Sequence, residues 1–393
     1  MAGSYLVAGA RTPIGKMSGA LASLSAADLG GAAIQAALER AGVAPDEVQH
    51  VIMGQVLMAG QGQVPSRQAA VKAGIPMSVP SININKVCLS GLNALYLADQ
   101  MVASGEADIV VAGGMESMTN APYLADGARA GFRYGNTELR DAIIADGLWC
   151  AFDACLMGLG TERYTAGSIS RDAQDEFAAL SHERAAAAIK EGRLADEITP
   201  VSIAQRKGEP IVVETDEGVR PGTTAESLGG LRGAFDKDGT ITAGNASQLS
   251  DGASAIVVMS KAAAERRGVT PLGEFVSYGM VAGPDSASLL LQPSRAINAA
   301  LERGGLALGD VDLFEINEAF AAVGLASMED LGLSADNVNV NGGAIALGHP
   351  IGMSGNRLAL TLLHELARRG GGVGAAALCG GGGQGDALVV RTV

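Results

Sequence analysis

Residues 33–40 read Ala-Ile-Gln-Ala-Ala-Leu-Glu-Arg, and residues 296–303 read Ala-Ile-Asn-Ala-Ala-Leu-Glu-Arg. The repeat has an offset of 263 residues and constrains the fold more than any other feature of the chain. After each copy comes a glycine and then a valine, Val48 or Val311, that opens an apolar, strand-like run. Further along, Cys88-Leu89-Ser90-Gly91 leads into a helical pattern that ends at Val110-Val111-Ala112-Gly113-Gly114. In the second half, Ser354-Gly355 leads into a helix that ends at Leu378-Cys379-Gly380-Gly381. Both halves thus read strand, Ser-Gly helix entry, helix, buried strand, glycine loop. Strands alternating with helices predict two α/β units packed around a pseudo-twofold axis.

The stretch between the halves has a different texture, with scattered Gly, Asp and Arg, a helical pattern from Arg171 to Glu191 and a polar segment around Arg206-Lys207-Gly208. An insertion on a rigid scaffold often forms a ligand-binding cover. Residues 119–145 read equally as part of that cover or as an oligomerisation arm. The expected division is a first half of residues 1–118 with 249–268, a loop domain of 119–248, and a second half of 269–393.

At 48% hydrophobic and 18% charged residues the chain is globular, and a formal charge of −14 excludes a nonspecific nucleic-acid binder or a ligand of anionic membrane surfaces. No apolar run approaches the length of a membrane span. The four cysteines, at 88, 150, 155 and 379, show no double CxxC metal pattern. Without a secretory signal, the reading is a cytoplasmic protein with reactive thiols rather than disulfides, and no metal.

Cys379 opens the run Cys379-Gly380-Gly381-Gly382-Gly383-Gln384-Gly385 at the end of a buried strand, thirty positions after His349. Bare backbone beside a thiol leaves room for a carbonyl oxygen and N–H groups to receive its charge. Such a thiol either attacks the carbonyl or moves a proton. Cys88 lies where a strand turns into a helix, a place that favours a thiolate, although a lone cysteine is otherwise a small buried hydrophobe. His349 is held by flanking Gly348 and Pro350 in an extended loop, whereas His50, His182 and His364 fall on a strand or on helices and read as surface or core. Asn317, in Glu315-Ile316-Asn317-Glu318-Ala319-Phe320, caps a helix or holds a water or carbonyl oxygen. Its repeat counterpart is Gly54, and that of Cys379 reads as Ala112. Cys150 and Cys155 have neither a glycine loop nor a helix start beside them and read as packing residues.

On four motifs the chain resembles the thiolases: Val87-Cys88-Leu89-Ser90-Gly91, Asn317-Glu318-Ala319-Phe320, Gly348-His349-Pro350-Ile351-Gly352 and Cys379-Gly380-Gly381-Gly382. The resemblance runs from Ala10-Arg11-Thr12-Pro13 to the C-terminal glycine loop. It implies a five-layered α/β/α/β/α fold built from two similar halves plus an inserted loop domain. It also implies an acyltransferase acting on coenzyme A thioesters, with no other cofactor. In that family's chemistry Cys88 would carry the acyl group, His349 would accept the thiol proton, and Cys379 would move the α-proton of a second thioester. Backbone N–H groups of Cys88 and Gly381 would hold one oxyanion, and a water on Asn317 beside His349 the other. Coenzyme A contacts would come from Arg220, with Lys207 and Arg232 as further basic candidates. Ala243 and Ser247, in the segment along the pantetheine arm, and Leu148, Met157, Phe235 and Phe320 would line the tunnel.

The reaction implied is the reversible ping-pong condensation of acetyl-CoA to acetoacetyl-CoA and CoA. The alternative is a degradative 3-oxoacyl-CoA thiolase of broader chain length in fatty acid metabolism. Short-chain biosynthetic members usually carry His-Met-Gly where this chain has Leu156-Met157-Gly158, which makes the acyl pocket more apolar. A decarboxylating ketoacyl synthase would not need Cys379 as a base, and a silent CoA-binding scaffold would not need the four side chains intact. The resemblance further implies a homo-oligomer, with a tetramer favoured over a dimer.

Overall fold

A computed structural model describes residues 3–393. The first half runs β1 (Ser4–Arg11), α1 (Ala26–Ala41), β2 (His50–Gly54), α2 (Pro65–Lys72), β3 (Ser81–Ile84), α3 (Ser90–Ala103) and β4 (Ile109–Ser117). An insertion carrying α4 (Arg171–Lys190) precedes β5 (Ser250–Ser260), which completes that half. The second half repeats the order with β6 (Gly273–Ala282), α5 (Gln292–Gly304), β7 (Leu313–Ile316), α6 (Ala321–Leu331), α7 (Ser354–Arg368), β8 (Val373–Gly380) and β9 (Gln384–Arg391).

The two helices that carry the repeat are punctuated alike. Ser25 and Asp28 form a capping box at the start of α1, and Pro293 occupies the first turn of α5. Each then ends on a glycine in the left-handed region, Gly42 at φ 61° and Gly305 at φ 65°, whose N–H caps the last carbonyls.

The strands follow the order β7-β8-β9-β6-β1-β5-β4-β2-β3, and the halves meet where Tyr5 of β1 pairs with Glu274 of β6. Strand β2 is parallel to β3 and β4, β7 is parallel to β8, and β5 and β9, nearer the middle of the order, are antiparallel to β4 and β8. A single bridge from Phe314 to Val338 takes the place that β3 holds in the first half. Helices α1 and α2 cover the outer face of the first sheet, α5 and α6 that of the second, and α3 and α7 pack together between the sheets. Three apolar cores fill the spaces, represented by Ile34 and Val257 outside the first sheet, Leu95 and Leu362 in the middle, and Ile297 and Val389 outside the second. This is the expected five-layered α/β/α/β/α arrangement.

The register revises one expectation. Ile52 pairs with Ala112 across β2 and β4, and Glu315, its repeat partner, pairs with Ala376 across β7 and β8. Ala112 therefore corresponds to Ala376, and three residues further on Met115, not Ala112, corresponds to Cys379. The conclusion that the first half has no thiol there is unaffected.

Residues 119–248 lie between β4 and β5. Buried Arg11 of β1 anchors this segment, with Nε 2.6 Å from Glu197 and Nη1 and Nη2 2.6 and 2.9 Å from the two oxygens of Asp216. Such a charge is tolerable in the interior only because both carboxylates meet it. Helix α4 packs on α6 and on the short helix Ala344–Leu347 just before His349. Residues 123–152 expose Tyr123, Phe132, Tyr134, Leu139, Trp149 and Phe152. Among the described residues no helix is long and apolar enough to cross a membrane.

Candidate active site

Cys88, His349, Asn317 and Cys379 come from four different segments and are all buried. Cys88 stands between β3 and α3, in a turn shaped by Ser90, whose Oγ accepts the Lys86 N–H at 2.8 Å and donates to the Val87 carbonyl at 2.6 Å. Its neighbours are Val56, Leu57, Met118, Ile143 and Ile351, with Leu148 and Val87 packed on them. Cys379 ends β8 in a second apolar cluster with Leu289, Ala319 and Val323, flanked by Met157 and Phe320.

The helix start was expected to favour a Cys88 thiolate. Cys88 does precede α3 by two residues, yet burial pushes its thiol up to about 12. Desolvation in an apolar floor outweighs the end of one helix, so the resting group is a neutral thiol. Burial also raises the Cys379 thiol, and the nearby Cys88 sulfur raises it further. Two neutral thiols share one apolar site.

His349 supplies a base. Its loop is fixed by an N–H donated to the Gln248 carbonyl at 3.1 Å. The Ser354 Oγ donates to the Pro350 carbonyl at 2.9 Å and stands 2.5 Å from His349 Nδ1. With its proton committed to the carbonyl, Ser354 accepts from Nδ1–H, which leaves the lone pair on Nε2. Burial, and secondarily the Arg357 charge, holds the imidazole down to about 4, so at neutral pH it is uncharged and able to take a proton.

The Asn317 Nδ2 lies 3.4 Å from that Nε2, while its Oδ1 is buried with no hydrogen-bond partner. Asn317 does not cap α6, because the helix begins at Ala321 with Phe320 at its N-cap position. Of the two roles left open by the sequence, the helix cap is the one excluded.

The segment Thr242–Ser247 runs alongside Asn317–Phe320. The Ser247 N–H donates to the Ala319 carbonyl, the Ala321 N–H donates to the Asn245 carbonyl, and Ala246 bridges Phe320. Phe235 meets Phe320 edge to face with ring centroids 6.0 Å apart and rests on Gly158, where a side chain would overlap its ring. Ala243 is exposed and Ser247 half-buried. Met157, Phe235, Phe320, Ala243 and Ser247 are therefore gathered on the insertion side of Cys379, while Leu148 lies on the Cys88 side. The exposed Arg220 donates its N–H to Nδ1 of His182, which is buried, neutral and held down to about 4 by its burial and by Arg220. Arg232 is exposed beside Phe235. Lys207 lies in the loop of the hairpin Val201–Ile203/Ile211–Val213, whose buried Val201, Ile203 and Val213 join the outer core of the first half.

Three supporting residues escaped the sequence. Gln248 Nε2 donates to the Gly218, Ile345 and Ala346 carbonyls, tying the Arg220 segment to the His349 loop. Ser354 was read only as a helix entry. Glu116, buried and raised to about 7 by desolvation, accepts the N–H groups of Val56, Leu57 and Gly352, joining the Cys88 floor to the His349 loop. The only sequence signal was for Ser354, through its position two residues after the glycine-flanked His349 motif.

Two family models match the chain, the thiolase N-terminal domain over residues 4–262 and the thiolase C-terminal domain over 269–392. The chain is 58% identical to a probable acetyl-CoA acetyltransferase of Mycolicibacterium smegmatis, covering 98% of this chain and all of that protein. It is 56% identical to a probable acetyl-CoA acetyltransferase of Mycobacterium tuberculosis over the full length of both. An acetyl-CoA acetyltransferase of Cupriavidus necator is 52% identical over 98% of each chain. With both of its halves matched and relatives similar from end to end, this chain belongs to the thiolase family.

Proposed function

We propose that this acyltransferase is an acetyl-CoA C-acetyltransferase that joins two acetyl-CoA molecules into acetoacetyl-CoA and CoA, and runs in reverse, through an acyl group carried on Cys88. The observations that carry the reading are the two buried thiols close enough for Cys88 to raise Cys379, and the buried neutral imidazole that faces Asn317 Nδ2 at 3.4 Å and whose loop residue Ile351 packs with Cys88. Relatives across the full length that bear the name acetyl-CoA acetyltransferase support it.

The thiol and imidazole are both uncharged at rest, so a thiolate has to be generated when a thioester arrives. His349 Nε2 takes the Cys88 proton as the sulfur bonds to the thioester carbon. The CoA sulfur leaves with the bonding pair, and the neutral Cys379 thiol supplies its proton. Cys379 is then a thiolate, ready to take the α-proton of a second acetyl-CoA. The carbanion attacks the acyl carbon on Cys88, and the departing Cys88 sulfur recovers its proton from His349. Backbone N–H groups of Cys88 and Gly381 are proposed for the acyl oxyanion. The unpartnered Asn317 Oδ1 is a suitable acceptor for a water that, with protonated His349, faces the other thioester oxygen. Arg220 is proposed for the nucleotide phosphates, and Ala243, Ser247, Phe235, Phe320, Met157 and Leu148 for the pantetheine arm and acyl group.

A second reading, a 3-oxoacyl-CoA thiolase of broader chain length, is favoured by one feature. Leu156 opens the helix Met157–Thr165 where a polar side chain would narrow the choice, and the neighbouring Met157, Leu289 and Phe320 are apolar. Thiolysis rates across 3-oxoacyl-CoA chain lengths test both. A steep preference for the four-carbon substrate supports the acetyltransferase, a flat profile supports the second reading, and no thiolysis of any member contradicts both. The exposed aromatic side chains of residues 123–152 support a self-associating arm and a tetramer, which sedimentation would resolve from a dimer.

A further inference from the structure

Lys86 lies two residues before Cys88, and Asp386 lies beside Cys379 on the adjacent strand: Leu378 pairs with Asp386, and Cys379 with Gly385. Although 300 residues apart and in different halves, the two side chains meet. The Lys86 Nζ donates to both Asp386 oxygens, at 2.7 and 2.9 Å, and Asp386 is fully buried. Its Oδ2 also accepts the Tyr278 hydroxyl at 2.8 Å.

The same two loops touch twice more. The side chain of Val87 presses on Gly381, where a Cβ would stand 3.2 Å from it, and that of Leu89 presses on Gly380, leaving no room for one. Thus residues 86, 87 and 89 of the Cys88 loop engage 386, 381 and 380 of the Cys379 loop. Any side chain at 380 would force the loops apart.

The Cys88 loop has a reason to need such a hold. Val87 sits at φ 51°, in the left-handed region that a β-branched residue rarely occupies. Its N–H bond to Asn85 Oδ1 at 3.0 Å is local and shapes the turn without fixing its distance from Cys379. Backbone held in an unfavourable region persists only where its surroundings impose it. The surroundings here are Ser90, whose Oγ bonds the Lys86 N–H and the Val87 carbonyl, and across from it the glycine loop of the second half.

We propose that the Lys86–Asp386 pair is a positioning clamp that sets the separation of the two sulfurs, so that a proton removed by Cys379 comes from a carbon within bonding reach of the acyl group on Cys88. The clamp rests on the reading of Cys88 as acyl carrier and Cys379 as base. Neither Lys86 nor Asp386 touches the reacting atoms. Burial raises the carboxyl of Asp386 and the Lys86 charge opposes that rise, so the cation also keeps the clamp's anion in place.

The test compares chemistry needing one sulfur with chemistry needing both. Lys86→Met and Asp386→Asn are assayed for Cys88 alkylation by iodoacetamide and for kcat and KM in acetoacetyl-CoA thiolysis. The clamp predicts alkylation and KM within about threefold of the unsubstituted protein, a kcat lower by tenfold or more, and recovery within threefold in Lys86→Arg. Tyr278→Phe, which removes only the third partner, keeps most of the rate. Lys86→Gln, which retains a hydrogen bond without charge, serves where Lys86→Met does not fold and is expected to lose kcat by at least threefold. Unchanged kcat in folded Lys86 and Asp386 variants overturns the clamp, as does a parallel fall of alkylation and kcat, which marks a merely structural pair. Absence of thiolysis by the unsubstituted protein would instead contradict the underlying reading.

Discussion

The two halves share one plan and carry different side chains at the place where they meet. In each, a helix enters through Ser-Gly between the sheets, and the serine hydroxyl bonds a carbonyl just upstream: Ser90 to Val87, Ser354 to Pro350. In the first half that serine shapes a turn presenting Cys88, whereas in the second it also meets the imidazole of His349. Where the first half has Gly54 and Met115, the second has Asn317 and Cys379. The duplicated scaffold thus brings strand ends and helix starts to one place, and on the proposed roles the halves diverge there into a carrier and a proton-handling set. Neither half holds a complete site.

That division predicts a graded series of losses. Cys88→Ser removes the carrier and should lower turnover by about three orders of magnitude or more, read from thiolysis kcat. Cys379→Ser, on the other half, should lower carbon–carbon chemistry by about 10²–10⁴-fold while acylation survives. Asn317→Ala removes one polar contact at the oxyanion side and should cost about 10²–10³ in kcat with little change in KM. Ser354→Ala leaves the His349 ring in place without its Nδ1 partner, and a smaller fall of about tenfold or more is expected. Equal losses for substitutions in the two halves, step by step, would contradict the division of labour.

The smallest effect is on stability against pH, and it again separates thiol from imidazole. His349 and His182 are depressed to about 4 from an ordinary 6.5, so the unfolded chain binds more protons between those values. Their contribution to stability is complete above about pH 6.5 and is lost as pH falls towards 4. Cys88 is raised from 9 to about 12, so its contribution holds below about pH 9 and is lost as pH rises towards 12. Urea midpoints should fall on both sides, with the acid limb flattened by His349→Asn and the alkaline limb by Cys88→Ser.

Much of this was legible because the repeat and the four motifs are local in sequence. The alternation of strands and helices implies two α/β units, the family resemblance implies their five layers, and glycine and proline beside His349 mark a loop that presents its side chain. What could not be read depends on distance in the chain or on burial. Lys86 and Asp386 are 300 residues apart, and nothing in either neighbourhood announces the other. The helix start before α3 argues for a thiolate at Cys88, but the apolar floor of Val56, Leu57 and Ile351 is assembled from two segments far apart in the chain and reverses the shift. Lys207 is a candidate phosphate contact by charge alone, and the packing of its hairpin on the outer core is not announced by its sequence. The counterpart of Cys379 is Met115 rather than Ala112 because strand pairing, which the sequence does not display, sets the register.

Peptide-resolved mass spectrometry after brief exposure to acetyl-CoA tests the division of the two cysteines most directly. An acetyl group on Cys88 in both the unsubstituted protein and Cys379→Ser, and no adduct in Cys88→Ser, is the predicted result. An adduct on Cys379, or one that persists in Cys88→Ser, would contradict it.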